Sequence, residues 1–175
     1  MPRRLLRAVP FRADQHWLDF GAGSGLLAAA IAPRVRRVTA LDTSAQMLRV
    51  LDEKNVPRVR TLRADIFDGL PDSYDGVASC MALHHVADTA SLLRVFHRHL
   101  KPGGLLALVD LYREDGSFHG DKLARDVCHF GFEPDALRAL AQEAGFVDPH
   151  FEEILRLEKN EGRIYPLFLM QARKP

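Results

Sequence analysis

The sequence predicts an α/β protein with a doubly wound, mostly parallel sheet. Three observations support this. Apolar runs of strand length alternate with stretches of helical periodicity through all 175 residues. A glycine-rich turn within HWLDFGAGSGLLA, His16 to Ala28, joins the first apolar run to the first helical one. Asp42 and Asp65 each close a later apolar run, at the strand ends where such sheets bind ligands.

Composition narrows the class. Hydrophobic residues make up 47% and charged residues 27%, the globular range, so a single domain over residues 1–175 is expected. Lys plus Arg total 24 against 23 Asp plus Glu, a balance that gives no reason to expect nucleic acid as a partner. Cys80 and Cys128 make no disulfide framework and fit a reducing compartment. No apolar run reaches membrane-spanning length, and the basic start MPRRLLRAVPF lacks the apolar core of a signal peptide. A cytoplasmic protein without membrane attachment is expected.

The elements follow in order. Residues 1–15 hold one short helical turn around Leu5 and Leu6, ended by Pro10. Trp17, Leu18 and Phe20 form the first strand; Leu26, Leu27, Ala30 and Ile31 recur at helical spacing behind the glycines. Val38, Ala40 and Leu41 make a second strand ending at Asp42. Thr43 or Ser44 caps the next helix, with Met47, Leu48 and Leu51 on its apolar face. Val59 and Leu62 mark a third strand, and Tyr74 to Met81 a fourth. Asp88 or Thr89 caps a helix turning Leu92, Leu93, Phe96 and Leu100 inward. Pro102 to Gly104 reads as a turn into the strand Leu105 to Leu111. Pro134 starts a last helix that Gly145 ends. Two late strands, Phe146 to Leu157 and Ile164 to Ala172, flank a polar turn and form a hairpin.

The glycine spacing bears on the ligand. A strand, a glycine turn and a helix bring a ligand against bare backbone. Dinucleotide folds use G-x-G-x-x-G; here Gly21, Gly23 and Gly25 give G-x-G-x-G, with Asp19 two residues ahead. Asp42 at its strand end can accept both hydroxyls of a ribose. Asp65 can accept from an adenine amino group, or cap a turn.

LDFGAGSG resembles the first motif, (D/E)-x-G-x-G-x-G, of the class I S-adenosylmethionine-dependent methyltransferases. LDTSAQML resembles the second, RADIFD the adenine-side motif, SCMALHHVAD the segment after the fourth strand, and LKPGGLLALVD the turn into the fifth. The resemblance implies a three-layer fold with a seven-stranded sheet in the order 3-2-1-4-5-7-6, its last strand antiparallel. It implies S-adenosylmethionine as cofactor, S-adenosylhomocysteine as product, and contacts from Asp19, Gly21, Ala22, Gly23, Gly25, Asp42, Thr43, Met47, Asp65, Ile66 and Met81. Asp42 would hold the ribose as a carboxylate otherwise solvated, and Met47 would lie near the cofactor.

The chemistry implied is in-line methyl transfer, in which alignment of a nucleophile with the methyl group dominates. A general base helps only where the nucleophile must lose a proton. His85 and His119 are the catalytic candidates. The resemblance sets the loop of His84 and His85 beside the methyl donor, so either could touch cofactor or substrate, or the two could equally be a helix cap or a surface pair. His97 and His99 read as exposed. His119, Cys128 and His129 match no zinc spacing, so no metal is expected.

Two departures from the family's pattern bear on the acceptor. Residues 1–15 leave little room for the helices that close over the site in many relatives. CMAL stands where methyltransferases of base and glutamine amino groups carry N/D-P-P-Y/F. The expected acceptor is therefore a small molecule, with a non-catalytic binding module as the alternative. Tyr112 to Phe132 is longer than ordinary connections and is expected to form the substrate side of the pocket. Phe118, Phe130 and Phe132 call for burial, and a helix over residues 121–130 is compatible with that role. EDGSFHG, Glu114 to Gly120, resembles a stretch in a subset of uncharacterised bacterial methyltransferases.

Overall fold

The structure, a computed structural model, describes residues 2–120, 127–160 and 162–175. Strands and helices alternate: α1 (Pro2–Ala8), β1 (His16–Phe20), α2 (Leu26–Ile31), β2 (Arg37–Asp42), α3 (Ala45–Glu53), β3 (Val59–Arg63), β4 (Tyr74–Cys80), α4 (Thr89–His99) and β5 (Leu100–Leu111). α5 (Pro134–Glu143), β6 (Val147–Lys159) and β7 (Arg163–Arg173) complete the chain. The described strands form one seven-stranded sheet in the order β3-β2-β1-β4-β5-β7-β6. β1 to β5 are parallel, and β7 runs antiparallel to both β5 and β6. The sheet expected from the sequence is the sheet observed.

A parallel sheet covered on both faces needs strands that are apolar on both. Successive residues of a strand point to opposite faces. Trp17 joins the core with Ile31, Val38 and Leu51, and its neighbour Leu18 the core with Leu92, Leu93 and Phe96. In β5, Leu105, Ala107 and Val109 serve the first core, and Leu106 and Leu108 the second. Leu92, Leu93 and Phe96 are wholly buried, each contributing about 1.5–3 kcal/mol. Their spacing fixes which face of α4 meets the sheet.

Capping follows the polar residues at helix starts. Ser44 Oγ accepts the Met47 amide at 3.3 Å, and the Asp88 carboxylate accepts the Ser91 amide at 2.8 Å. Gly145, at φ +98°, stops α5.

Several local expectations change. α1 spans seven residues, not one turn: Leu5 within it and Val9 just after it are both buried and anchor it to the core. β5 begins at Leu100: the ladder steps from Tyr74–Leu100 to Gly76–Leu105, and the Pro102–Gly104 segment is absorbed as a bulge. His97 and His99 are half-buried. His97 meets the Phe146 ring edge-on at 5.1 Å, and His99 Nδ1–H donates to the Asp72 carbonyl at 3.2 Å. Phe118 and Phe132 are buried, but Phe130 is 45% exposed. Of the helix expected over residues 121–130, residues 121–126 lie outside the described residues, and 127–130 are not helical.

Candidate functional site

The turn after β1 is built by its glycines. Gly21 and Gly25 have φ of +64° and +82°, a region costly for residues with a Cβ. A Cβ on Gly21 would collide with Ala82, and one on Gly25 with the methyl groups of Leu51. The Ala22 amide donates to the Leu41 carbonyl at 3.0 Å, tying the turn to β2. Asp42 Oδ2 accepts the Gly23 amide at 2.8 Å and Oδ1 the Ser44 amide at 2.8 Å. The carboxylate expected to be solvated is already engaged, so it holds the turn as well as facing any ligand.

A cavity of about 500 Å³ opens across the carboxyl ends of β3, β2, β1 and β4. Gly21, Asp42, Thr43, Asp65, Ile66, Met81 and His85 are in its wall. Ala22, Gly23 and Gly25 form the turn beside it, and Asp19 lies at the end of β1. Met47 is 45% exposed on α3 and is not among the lining residues. Asp65 Oδ1 accepts the Phe67 amide at 3.0 Å, capping the short 3₁₀ helix Ile66–Asp68. Met81 holds φ +59° at the cavity wall, an unusual conformation for a non-glycine residue.

Asp19 is 1% exposed, and its Oδ2 has no partner among the described residues. Burial pushes its carboxyl up to about 8; the Asp42 charge adds to this, and a hydrogen bond from the Ala28 backbone opposes it. Burial likewise pushes the Cys80 thiol up to about 12, which removes it as a nucleophile.

A second group of residues stands beside the cavity. His84, on the 3₁₀ turn Leu83–His85 after β4, is 1% exposed. Its Nδ1–H donates to Asp110 Oδ1 at 2.7 Å, and its amide to Oδ2 at 3.3 Å. Asp110, buried at the end of β5, also accepts the Leu111 amide at 2.8 Å. A carboxylate only accepts, so this contact sets the His84 tautomer and leaves Nε2 with its lone pair. That Nε2 lies 3.2 Å from His119 Nε2. The His84 ring is 4.2 Å from that of His85 and 4.8 Å from that of His119, centre to centre. Burial holds the His119 pKa below its ordinary value; His84, His85 and Lys159 add to this, and Asp110 opposes it. One nitrogen from each of His84, His85 and His119 lies within 4.8 Å of the others.

The two catalytic candidates are thus neighbours, joined through His84, for which the sequence leaves a ligand contact and a cap or surface position equally open. The missed pair is His84–Asp110. Its only sequence signal is an aspartate closing the apolar run LLALVD, as Asp42 closes another. His129 stands apart from the cluster, with Nε2 3.0 Å from the Val86 carbonyl. The Cys128 and His129 amides donate to the His84 carbonyl at 2.9 and 3.1 Å. The far end of the Tyr112–Phe132 segment therefore packs on the histidine turn.

Residues 18–108, more than half of the chain, match the methyltransferase-domain family profile. An uncharacterized methyltransferase of Schizosaccharomyces pombe is 32% identical over 146 residues, 73% of this chain and 51% of that one. A trans-aconitate 2-methyltransferase of Deinococcus radiodurans is 35% identical over 121 residues, 67% of this chain and 46% of that one. The YcgJ protein of Bacillus subtilis superposes with a TM-score of 0.79 at 21% identity, covering 99% of each chain. The chain spans about half the length of the curated relatives it matches. With the sheet order, the glycine turn and the matched profile in agreement, the chain belongs to the class I S-adenosylmethionine-dependent methyltransferases.

Proposed function

We propose that the protein transfers the methyl group of S-adenosylmethionine to a small-molecule acceptor. The observation that carries this reading is the shared cavity. Asp42, Asp65 and His85 all line it. The residues present suit the cofactor. Asp42 keeps lone pairs beyond its two backbone bonds, enough to accept ribose hydroxyls. Buried Ile66 offers an apolar contact for the adenine, with Asp65 beside it for the amino group. Asp19 carries an unpartnered oxygen near the turn, where a cationic ligand would favour its ionised form.

Bound there, S-adenosylmethionine supplies a methyl group on a sulfonium leaving group. The chain's own task is to align the acceptor and, where the acceptor is protonated, to take up its proton. His85 at the cavity wall and His119 beside it are placed for that. The name of the Deinococcus relative supports a small-molecule acceptor.

Calorimetry of S-adenosylhomocysteine against NAD, followed by methyl transfer to a metabolite panel, tests the proposal. Binding of S-adenosylhomocysteine and transfer to a panel member are expected. Tight NAD binding without S-adenosylhomocysteine binding would overturn it. Cofactor binding with no transfer to any small molecule would favour a binding module instead.

A further inference from the structure

We propose that His84, His85 and His119 form a binding site for one divalent transition-metal ion of the zinc type. Their ligand nitrogens all lie within 4.8 Å of one another. A tetrahedral zinc site with Zn–N bonds of ~2.05 Å has N–N edges of roughly 3.3 Å. The His84 Nε2 to His119 Nε2 separation is 3.2 Å, one such edge. His85 is the exposed member, so it is the ring that can move in by the remaining ångström or so.

The surroundings of the pair favour an ion. His84 donates its other nitrogen to the buried Asp110 carboxylate. That carboxylate–histidine arrangement orients metal-binding imidazoles and raises their basicity. His119 Nδ1 is buried without a partner among the described residues. In the hydrogen-bonded pair His119 Nε2–H donates to the His84 lone pair; moving that proton to the unpartnered Nδ1 would free Nε2 for an ion. Three imidazoles suit zinc, cobalt or nickel; magnesium and calcium demand oxygen ligands. His84 and His119 are 35 positions apart, so no local spacing announces the site.

His85 lines the cavity, from which an acceptor oxygen could take the fourth ligand position. With the ion bound, His85 and His119 give it their lone pairs and no longer take up a proton, and the ion itself would acidify the acceptor. That role rests on the methyl-transfer reading; the binding of the ion does not. A plain hydrogen bond between His84 and His119 is the competing account, and titration with the metal alone separates the two.

The test uses the full chain after chelator treatment. Zn²⁺ is titrated by calorimetry, and Co²⁺ by visible absorption. The expected result is one equivalent of Zn²⁺, and a tetrahedral Co²⁺ spectrum that zinc abolishes. Substitution of His84 would strand the buried Asp110, so His119→Ala and His85→Ala are the variants, with circular dichroism as the folding control. Each should weaken Zn²⁺ binding by at least ~10-fold, as loss of a ligand must exceed loss of its outer-shell partner. No stoichiometric binding by the parent would overturn the proposal. So would unchanged affinity in the folded double variant. Failure of the parent to bind S-adenosylhomocysteine would end the methyl-transfer reading and leave the metal result standing.

Discussion

The Asp42 carboxylate accepts the Gly23 amide at 2.8 Å, across the gap between β2 and the turn after β1. Its other oxygen accepts the Ser44 amide at the start of α3. One side chain thus ties the glycine turn to the start of α3. Asp42→Ala is expected to lower stability by about 2–3 kcal/mol, since hydrogen bonds to a charged group are lost. It should also weaken S-adenosylhomocysteine binding by about 2–4 kcal/mol. Urea unfolding and calorimetry measure the two separately. An unchanged dissociation constant in the folded variant would remove Asp42 from the ribose site.

Asp19 is expected to make stability fall as pH rises. Its folded pKa, about 8, lies above the ordinary 3.8. Between those values the folded state binds the extra proton. Its contribution is full below about 3.8 and is lost as pH rises through about 8. Asp19→Asn should flatten the decline expected from mildly acid to mildly alkaline pH. Parallel stability curves for parent and variant would refute this. A cationic cofactor should also draw off the proton near neutral pH, giving a binding enthalpy that depends on the buffer.

His16 acts in the opposite direction. Arg37 donates to its Nδ1 at 3.1 Å, so Nε2 carries the proton and donates to Thr39 Oγ1 at 2.8 Å. Protonating Nδ1 would set a second donor against the guanidinium. Burial first, then the Arg37 charge, lowers the pKa from 6.5 to about 4. The unfolded chain therefore binds more protons between those values. Stability is full above about 6.5 and is lost as pH falls toward and through about 4. His16→Gln should show a shallower acid slope in unfolding experiments; an identical slope would assign the loss to other groups.

Gly25→Ala is expected to cost about 2–4 kcal/mol, combining left-handed strain with overpacking. The added Cβ would press into Leu51, which is 2% exposed and has no solvent side to retreat to. Thermal unfolding reads the loss. A cost well under 1 kcal/mol would mean that α3 gives way to make room.

Much of the site was legible because acids close apolar runs. Asp42 and Asp65 stand at the ends of such runs, and both line the cavity. Asp110 follows the same rule at the end of β5, yet its role needed a partner 26 positions upstream. His84 and His85 share a turn too short to have a period, so nothing in the sequence distinguishes the buried ring from the exposed one. Met47 shows the reverse failure: apolar spacing grouped it with Leu48 and Leu51, but only those two are buried on α3. Pro102 to Gly104 carries turn residues and is skipped by the β4 ladder, yet the Gly103 amide donates to the Lys174 carbonyl and the Gly104 carbonyl accepts the Lys174 amide, which holds the segment within β5. Tertiary pairing outweighs local turn preference there.

β7 lies between β5 and β6, although β6 comes first along the chain. The sheet neighbour of β6 is β7. During synthesis the rim strand therefore emerges with nowhere to dock. It must wait for residues 163–173, fold back as a hairpin, and add to the sheet as a unit. Until then the open edge of β5, flanked by buried leucines and valine, is a template for pairing with another chain. A nascent chain stalled before Arg163 would carry that sticky edge, and chaperone capture or aggregation would compete with closure at that moment.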